Sequence, residues 1–79
     1  MPSVTVRYFA QLREQRGLDD EVVAFEPGTT VHALYTRLFA HTSVEHLPVS
    51  YARNATTVPA DEQVEDGDEV VFLPPVGGG

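Results

Sequence analysis

An alternation of side chains predicts the first strand over residues 3–9. Val4, Val6 and Tyr8 fall on one side of this segment, whereas polar residues and finally Phe9 fall on the other. A period of two is typical of a strand that buries one of its faces. We therefore predict that the three alternating apolar residues lie in a core and that Phe9 lies on the outer face.

Two helices are predicted, a short one and a longer amphipathic one. Residues 10–16 are good helix formers, and Gly17 is placed as a C-terminal stop, so Leu12 is expected to point inward. The second helix is expected to begin with a hydroxyl cap at Thr29 or Thr30. Its apolar positions recur at helical spacing: Val31, Leu34, Tyr35 and Leu38. This helix should pack across one face of a sheet.

Three more strands are predicted between the first strand and the last one. They cover residues 21–26, 49–53 and 56–58. Residues 40–48 and the acidic residues 59–68 are expected to form loops, with Val64 pointing inward from the second loop. The acidic loop is expected to be solvated, although docking on a basic partner is an alternative.

The last strand is apolar on both faces. Val70 and Phe72 occupy one face, and Val71 and Leu73 occupy the other. A strand of this kind is either central in its sheet or covered by another element. The element order predicts an α+β fold in which a mixed sheet of about five strands wraps around one main helix, with one short helix in addition.

Composition limits the classes of function. The 79 residues make one small domain, which we place at residues 1–76, followed by a glycine tail at residues 77–79. Twelve acidic residues against five basic ones give a formal net charge of −7, which argues against nucleic acid as a partner. The sequence contains no Cys, which suits a cytoplasmic location, and no apolar run long enough to span a membrane.

No residue pattern indicates a complete active site or a metal site. His32, His41 and His46 lack the spacing of zinc ligands and are expected at the surface. The acidic loop lacks the alternating ligands of a calcium-binding loop. A triad of nucleophile, histidine and acid is not evident, and no glycine-rich loop opens a helix to bind phosphate.

The segment at the end of the chain is the strongest candidate for function. Phe9, Val71 and Leu73 are expected to form an apolar surface that binds a partner protein. Pro74 and Pro75 should hold the exit from the last strand extended. The remaining segment, Val76-Gly77-Gly78-Gly79, is thin and would span about 13–14 Å when extended, so its carboxylate could enter a partner's buried site.

Two segments resemble the ubiquitin-like sulfur carriers of the MoaD/ThiS group, in particular the branch that serves molybdopterin synthases. They are Val6-Arg7-Tyr8-Phe9-Ala10-Gln11-Leu12-Arg13-Glu14 near the start and the run from Asp66 through Pro74-Pro75-Val76 before the terminal glycines. The resemblance covers almost the whole chain. It implies a β-grasp fold and a carrier that has no catalytic site of its own and binds no cofactor.

The resemblance also implies roles for residues at the end of the chain. An activating enzyme would adenylate the carboxylate of Gly79 with Mg-ATP, and the carboxylate would then be converted to a thiocarboxylate. Gly78, the preceding residue, has no side chain and keeps the tail thin. The tail that bears the thiocarboxylate would enter the large subunit of molybdopterin synthase, in an assembly of two carriers and two large subunits. Phe9 and Leu73 correspond to partner-facing residues of the family. Thr57 departs from the larger apolar residue that the family often has at its position.

Three other functions remain open at the level of sequence. One is an inert binding module that uses the apolar surface and leaves the terminus chemically unused. The same carrier chemistry could serve thiamin synthesis or tRNA thiolation. Alternatively, the chain could be a ubiquitin-like modifier that is conjugated through Gly79 to lysines of other proteins. Since the sequence contains no Lys, chains linked through lysines of its own copies are excluded.

Overall fold

Five strands and two helices follow one another in the predicted order. The computed structural model describes residues 1–75. Its elements are β1 (Ser3–Arg7), α1 (Ala10–Arg16), β2 (Asp20–Ala24), α2 (Val31–Phe39), β3 (Ser50–Arg53), β4 (Thr56–Val58) and β5 (Glu69–Leu73). The α+β class and the pair of helices, one short and one longer, are therefore confirmed.

The strands form one mixed sheet in the order β2-β1-β5-β3-β4. β1 and β5 are parallel, whereas the other neighbouring pairs are antiparallel. β5 is thus the central strand, as the apolar character of both its faces predicted. This arrangement also places β1 and β5 side by side and pointing in the same direction, which matters for the site described below.

The core lies between the sheet and α2. Val4, Val6 and Tyr8 are buried, as their alternation predicted. Phe72 on β5 contacts the ring of Tyr35 edge to face, at 5.1 Å between centroids. Phe39 is fully buried at the end of α2, although the predicted apolar stripe ended at Leu38, which is only partly buried. Phe39 is eight residues after Val31, and the helical period places that position on the same apolar face.

Both helices begin or end where the sequence indicated. Gly17 adopts the left-handed conformation with φ 71°, and its N–H donates to the carbonyl of Arg13 at 2.8 Å. Leu12 is the residue of α1 that is buried. Of the two candidate caps for α2, Thr30 is the one used, because its Oγ1 accepts a hydrogen bond from the N–H of Ala33 at 3.1 Å.

Replacing the capping residue Thr30 should lower the stability of the protein measurably. We expect Thr30→Ala to lower the free energy of unfolding by about 1 kcal/mol, because it leaves a backbone N–H of the first turn of α2 without an acceptor. Chemical denaturation measures this change. Thr36→Ala is the control, since Thr36 is exposed within the same helix and Ala is a good helix former. Equal losses in the two variants would contradict the role of the cap.

The predicted boundaries of three strands were wrong by one or two residues. β1 was predicted over residues 3–9, but it ends at Arg7, because the carbonyl of Phe9 already accepts from the N–H of Leu12 in α1. β2 begins one residue earlier than predicted, at Asp20. β2 was predicted over residues 21–26, but it ends at Ala24 because the turn that follows begins with the hydrogen bond from Thr29 N–H to the carbonyl of Glu26. β3 was predicted from Val49, but the N–H of that residue binds the carbonyl of Leu47, two residues back in the loop, so the strand begins at Ser50.

Candidate functional site

The candidate site is the end of the sheet where β1 and β5 finish. The parallel register pairs Arg7 with Val71, so the next outward residues along the two strands are Phe9 and Leu73. Both are partly open to solvent, Phe9 at 47% and Leu73 at 39% of their surface, whereas Val71, two residues before Leu73 on β5, is half-buried. The structure therefore brings together the three residues predicted to form an apolar surface, on the face away from α2. We call these three residues the β5 apolar surface.

The backbone that carries Phe9 is fixed by the helix that follows it. Phe9 is extended, with φ −133° and ψ 154°, and its carbonyl accepts from the N–H of Leu12 at 3.0 Å. Ala10 has a positive φ of 50°, which turns the chain abruptly from the strand into α1. Phe9 consequently continues the alternation of β1 and faces outward while the chain around it is held in place.

Buried polar contacts support this turn from the inner side. The Tyr8 hydroxyl donates to the carboxylate of Glu21 at 2.6 Å, and the guanidinium of Arg16 binds the same carboxylate. Burial and the neighbouring Glu21 raise the pKa of Tyr8 well above its ordinary value, so its hydroxyl stays protonated and remains a donor. Arg16 also donates to the carbonyl of Leu38, which joins α1 to α2. The sequence interpretation missed this network because its residues are distant along the chain.

The strand that carries Leu73 ends at two prolines. Leu73 pairs with Ser50 of β3, and Pro74 and Pro75 follow directly. Each proline lacks a backbone N–H and has a fixed φ, so neither can extend the ladder of β5. Pro75 is exposed. The chain therefore leaves the sheet next to the β5 apolar surface.

The predicted reactive segment follows the residues that the structure describes. Val76, Gly77, Gly78 and Gly79 lie outside them, and so does the predicted boundary between a domain at residues 1–76 and a tail at residues 77–79. The roles of these four residues therefore stay predictions. They follow Pro75, which is the last residue that the structure describes.

The histidines do not assemble into a site. His32 is exposed, and its Nδ1 lies 2.9 Å from the hydroxyl of Tyr51. His46 lies 3.5 Å from the carboxylate of its neighbour Glu45. Among residues 1–75, no three His, Asp or Glu side chains are grouped so that they could hold a metal ion.

The acidic loop is not simply solvated, and that prediction was wrong for part of it. Asp68 is 7% exposed, and its carboxylate accepts from Arg53 Nε at 2.5 Å and from the side-chain amide of Asn54 at 2.9 Å. The same guanidinium reaches Glu62 at 3.0 Å and Glu65 at 3.1 Å. The cluster joins the end of β3 to the turn before β5, and Val64 is buried beside it as predicted.

The charge on Asp68 should make stability depend on pH. Burial alone would raise the pKa of this carboxyl, but the hydrogen bonds from Arg53, Asn54 and the N–H of Glu65 outweigh it and hold the pKa below the ordinary 3.8. The folded state thus keeps the charge when the unfolded chain is already protonated. This contribution to stability is present above about pH 4 and is lost as the pH falls further, through the lowered pKa of the folded state.

We expect Asp68→Asn to lower the free energy of unfolding at about pH 7 by about 1.5–3 kcal/mol, because hydrogen bonds to a charged acceptor are lost. The loss should shrink at about pH 3, where the wild-type protein has also lost much of this contribution. Urea unfolding at the two pH values measures both changes. Asp61→Asn, at an exposed acidic position of the same loop, is the control. A loss that is the same at both pH values would contradict the assignment.

Neither of the two helices within residues 1–75 has the length and apolar character that crossing a membrane requires. The helices have seven and nine residues. A membrane-spanning helix needs about 20 predominantly apolar residues.

Known proteins resemble this chain over nearly its whole length. The chain is 42% identical to the molybdopterin synthase sulfur carrier subunit of Escherichia coli, over 96% of this chain and 99% of that protein. It is 32% identical to the protein of the same name from Chlamydomonas reinhardtii, over 96% of this chain and 98% of that protein.

Solved structures share the fold. A putative molybdopterin converting factor, subunit 1, from Pyrococcus furiosus matches with a TM-score of 0.82 at 29% identity and covers 96% of this chain and 100% of its own. SAMP1 from Haloferax volcanii, a small archaeal modifier protein, matches with a TM-score of 0.71 at 27% identity, over 98% of this chain and 99% of its own. A complex of subunits 1 and 2 of molybdopterin-converting factor from Helicobacter pylori matches in fold, with a TM-score of 0.63 at 21% identity, over 98% and 99% of the two chains.

These likenesses confirm the β-grasp fold and the resemblance noted in the sequence. The model of the ThiS family matches residues 6–79, which include the whole β5 apolar surface and the terminal glycines. Since that match and the curated relatives each span nearly the full length, this chain belongs to the ThiS family, together with the MoaD-type sulfur carriers.

Proposed function

We propose that this chain is the sulfur-carrying small subunit of a molybdopterin synthase. One observation carries the proposal: a protein 42% identical over nearly the full length is named molybdopterin synthase sulfur carrier subunit. The geometry of the site supports it, because the β5 apolar surface lies beside the point where the chain leaves the sheet toward Gly79. In this proposal the protein works in the cytoplasm.

The terminal carboxylate of Gly79 is the working group in this proposal. An activating enzyme transfers AMP from Mg-ATP to that carboxylate, with release of pyrophosphate, since a carboxylate is a poor electrophile. Sulfur at the oxidation level of sulfide then attacks the acyl carbon, the bond from that carbon to the AMP oxygen breaks, and AMP departs to leave a thiocarboxylate on Gly79. The sequence contains no Cys, so no side-chain thiol of this chain can carry the sulfur. Gly78 lacks a side chain and therefore lets the terminus enter a narrow channel.

The large subunit of molybdopterin synthase is the proposed partner. Phe9, Val71 and Leu73 would bind it, while Pro74, Pro75, Val76 and Gly77 would direct the terminus into its active site. The complex of subunits 1 and 2 from Helicobacter pylori supports a partner of this kind. We propose an assembly of two carriers with two large subunits. The chain itself supplies no catalytic side chain and binds no cofactor, and its charge of −7 suits a protein partner rather than nucleic acid.

Intact-mass analysis tests the proposed chemistry. The protein is incubated with the activating enzyme, Mg-ATP and a sulfur donor, and a mass gain equal to the replacement of one oxygen by sulfur is expected in the C-terminal peptide. A sample without ATP is the control. An unchanged mass, or a gain in another peptide, would overturn the proposal.

A second function is supported by the likeness to SAMP1 of Haloferax volcanii. In that case Gly79 would be joined to lysine side chains of other proteins. Affinity purification of the tagged chain from cells, followed by peptide mass analysis, distinguishes the two functions. Isopeptides between Gly79 and lysines favour a modifier, whereas a free thiocarboxylate favours a carrier. A carrier for thiamin synthesis or tRNA thiolation would also yield the thiocarboxylate but would not support dithiolene formation by the large subunit.

A further inference from the structure

β2 is an edge strand, and the proposed function does not use its outer edge. β2 pairs with β1 on one side, and no strand among residues 1–75 pairs with its other side. Val22, at the middle of this strand, is 71% exposed, the highest value among the large apolar residues of its sheet. Val22 lies across Thr5 of β1 and is separated from Val71 by that strand.

The hydrogen-bonding pattern shows which backbone groups face outward. At the two ends of the β1–β2 pair, the N–H of Tyr8 binds the carbonyl of Asp19 and the N–H of Phe25 binds the carbonyl of Pro2. Hydrogen-bonded and non-hydrogen-bonded pairs alternate in an antiparallel ladder. The backbone groups of Asp20, Val22 and Ala24 therefore point away from β1, toward the free edge.

Arg37 limits the open part of this edge. Its Nη2 donates to the carbonyl of Ala24 at 2.7 Å. The amide groups of Asp20 and Val22 and the N–H of Ala24 remain available to an added strand. The edge contains no Pro or Lys and spans five residues, whereas β4 at the other edge has three residues and is followed by Pro59. Short length, Pro and charged side chains, Lys above all, normally protect an edge from pairing. Of these features β2 has only the acidic residues Asp20 and Glu21, which would repel an acidic strand.

A groove adjoins the C-terminal end of this edge, at Ala24, on the helix side of the sheet. It has a volume of about 630 Å³ and lies between β2 and α2, with Phe25, Ala33 and Leu34 contributing apolar lining. Alternate side chains of a strand added to β2 would point toward this groove, and the others would point toward the outer face. Backbone pairing combined with side-chain pockets is the arrangement by which proteins recognise extended peptides.

The charges beside the edge indicate the chemistry of the occupant. Asp20 and Glu26 are exposed at the two ends of β2, and neither makes an ion pair with another residue of the described part of the chain. The cations near this edge already have partners. Arg37 donates to the carbonyl of Ala24, and Arg16 binds Glu21. Arg7, which lies across from Asp20 on β1, pairs with Glu69 at 3.8 Å. We propose that the edge of β2 binds an extended basic peptide segment of a partner protein as a sixth strand, with an apolar side chain in the groove. A second copy of this chain suits the site less well, because each copy carries a net charge of −7.

Amide NMR with a defined peptide tests the proposal. The probe is acetyl-Lys-Val-Lys-Val-Lys-amide at millimolar concentration, added to the full chain. The N–H signals of Asp20, Val22 and Ala24 are expected to shift and their hydrogen exchange to slow. Two control peptides should bind at least about tenfold more weakly. One has Glu in place of Lys, and the other has N-methylated central amides.

Two variants test the edge itself. Val22→Pro removes an N–H that faces away from β1, and Pro is tolerated at such edge positions. It should weaken peptide binding about tenfold, whereas Val22→Thr, which keeps the N–H, should bind like the wild type. The double change Asp20→Asn with Glu26→Gln, at exposed positions, should weaken binding of the basic peptide and abolish the preference over the acidic one.

Three outcomes would overturn the proposal. The first is the absence of shifts at the three β2 amides, and the second is a set of shifts confined to Phe9 and Leu73. The third is a concentration-dependent dimer whose β2 amides are protected without peptide, which would assign the edge to a second copy. If the proposal holds, the β2 variants should load sulfur on Gly79 like the wild type. A failure of peptide binding at β2 can therefore be distinguished from a failure of the proposed carrier function.

Discussion

Deleting Gly78 and Gly79 should abolish sulfur transfer while leaving the protein folded. The buried apolar core is drawn from residues between Val4 and Phe72, so the two glycines contribute no side chain to it. The deletion instead leaves the terminal carboxylate on Gly77, which shortens the reach of the extended tail by about 7 Å from the position that the proposed function requires. We expect no detectable dithiolene formation with the activating enzyme, the large subunit, Mg-ATP and a sulfur donor, and an unchanged free energy of unfolding.

An extension provides the matched control for this deletion. Adding a single Ala after Gly79 retains both glycines but moves the carboxylate onto a residue that has a Cβ. It should also block loading with sulfur while leaving stability unchanged. Intact-mass analysis and chemical denaturation of the three proteins measure both properties. Transfer by the truncated chain would contradict the role of Gly79, and unfolding of the truncated chain would show that the glycines have a structural role.

Leu73→Asp should weaken binding to the large subunit by about 2–4 kcal/mol, which is the range of interface hot spots. Leu73 is 39% exposed at the end of β5, so the fold tolerates a carboxylate there. In a complex, however, that carboxylate would be buried among apolar groups without a cation, which is costly. Titration calorimetry with the purified large subunit measures the affinity.

Val22→Asp is the matched control for Leu73→Asp. Val22 is also an exposed apolar residue on the same side of the sheet, but it lies on β2, away from the exit of the chain. Its affinity for the large subunit should equal that of the wild type. Equal losses in the two variants would indicate a general effect of added negative charge, and an unchanged affinity for Leu73→Asp would exclude the β5 apolar surface as the binding face.

Local sequence patterns predicted most of the secondary structure because each element carries its own signal. The period of two in residues 3–9, the apolar stripe that begins at Val31 and the stop at Gly17 all depend on neighbours within a few positions. The boundaries of β2 and β3 were less predictable, since turn and loop hydrogen bonds at Thr29 and Val49 end the pairing there.

The candidate site was partly predictable for the same reason. Phe9 and Leu73 occupy outward positions of alternating strands, and the prolines and glycines after Leu73 are plain in the sequence. That Phe9 and Leu73 lie at the same end of the sheet could not be predicted from either segment alone. It follows from the parallel pairing of β1 with β5, which joins residues more than 60 positions apart in register, such as Thr5 with Glu69.

Sequence patterns were sufficient to predict the order of the elements, the inward and outward faces of the first and last strands, and the family to which the chain belongs. The tertiary structure alone decided which charges are paired and which edge is open. Arg53 meets Asp68, and Arg16 meets Glu21, because the fold brings separate segments together in partly buried positions. Periodicity reports burial along one segment, whereas an ion pair or a free strand edge depends on what lies beside that segment in space.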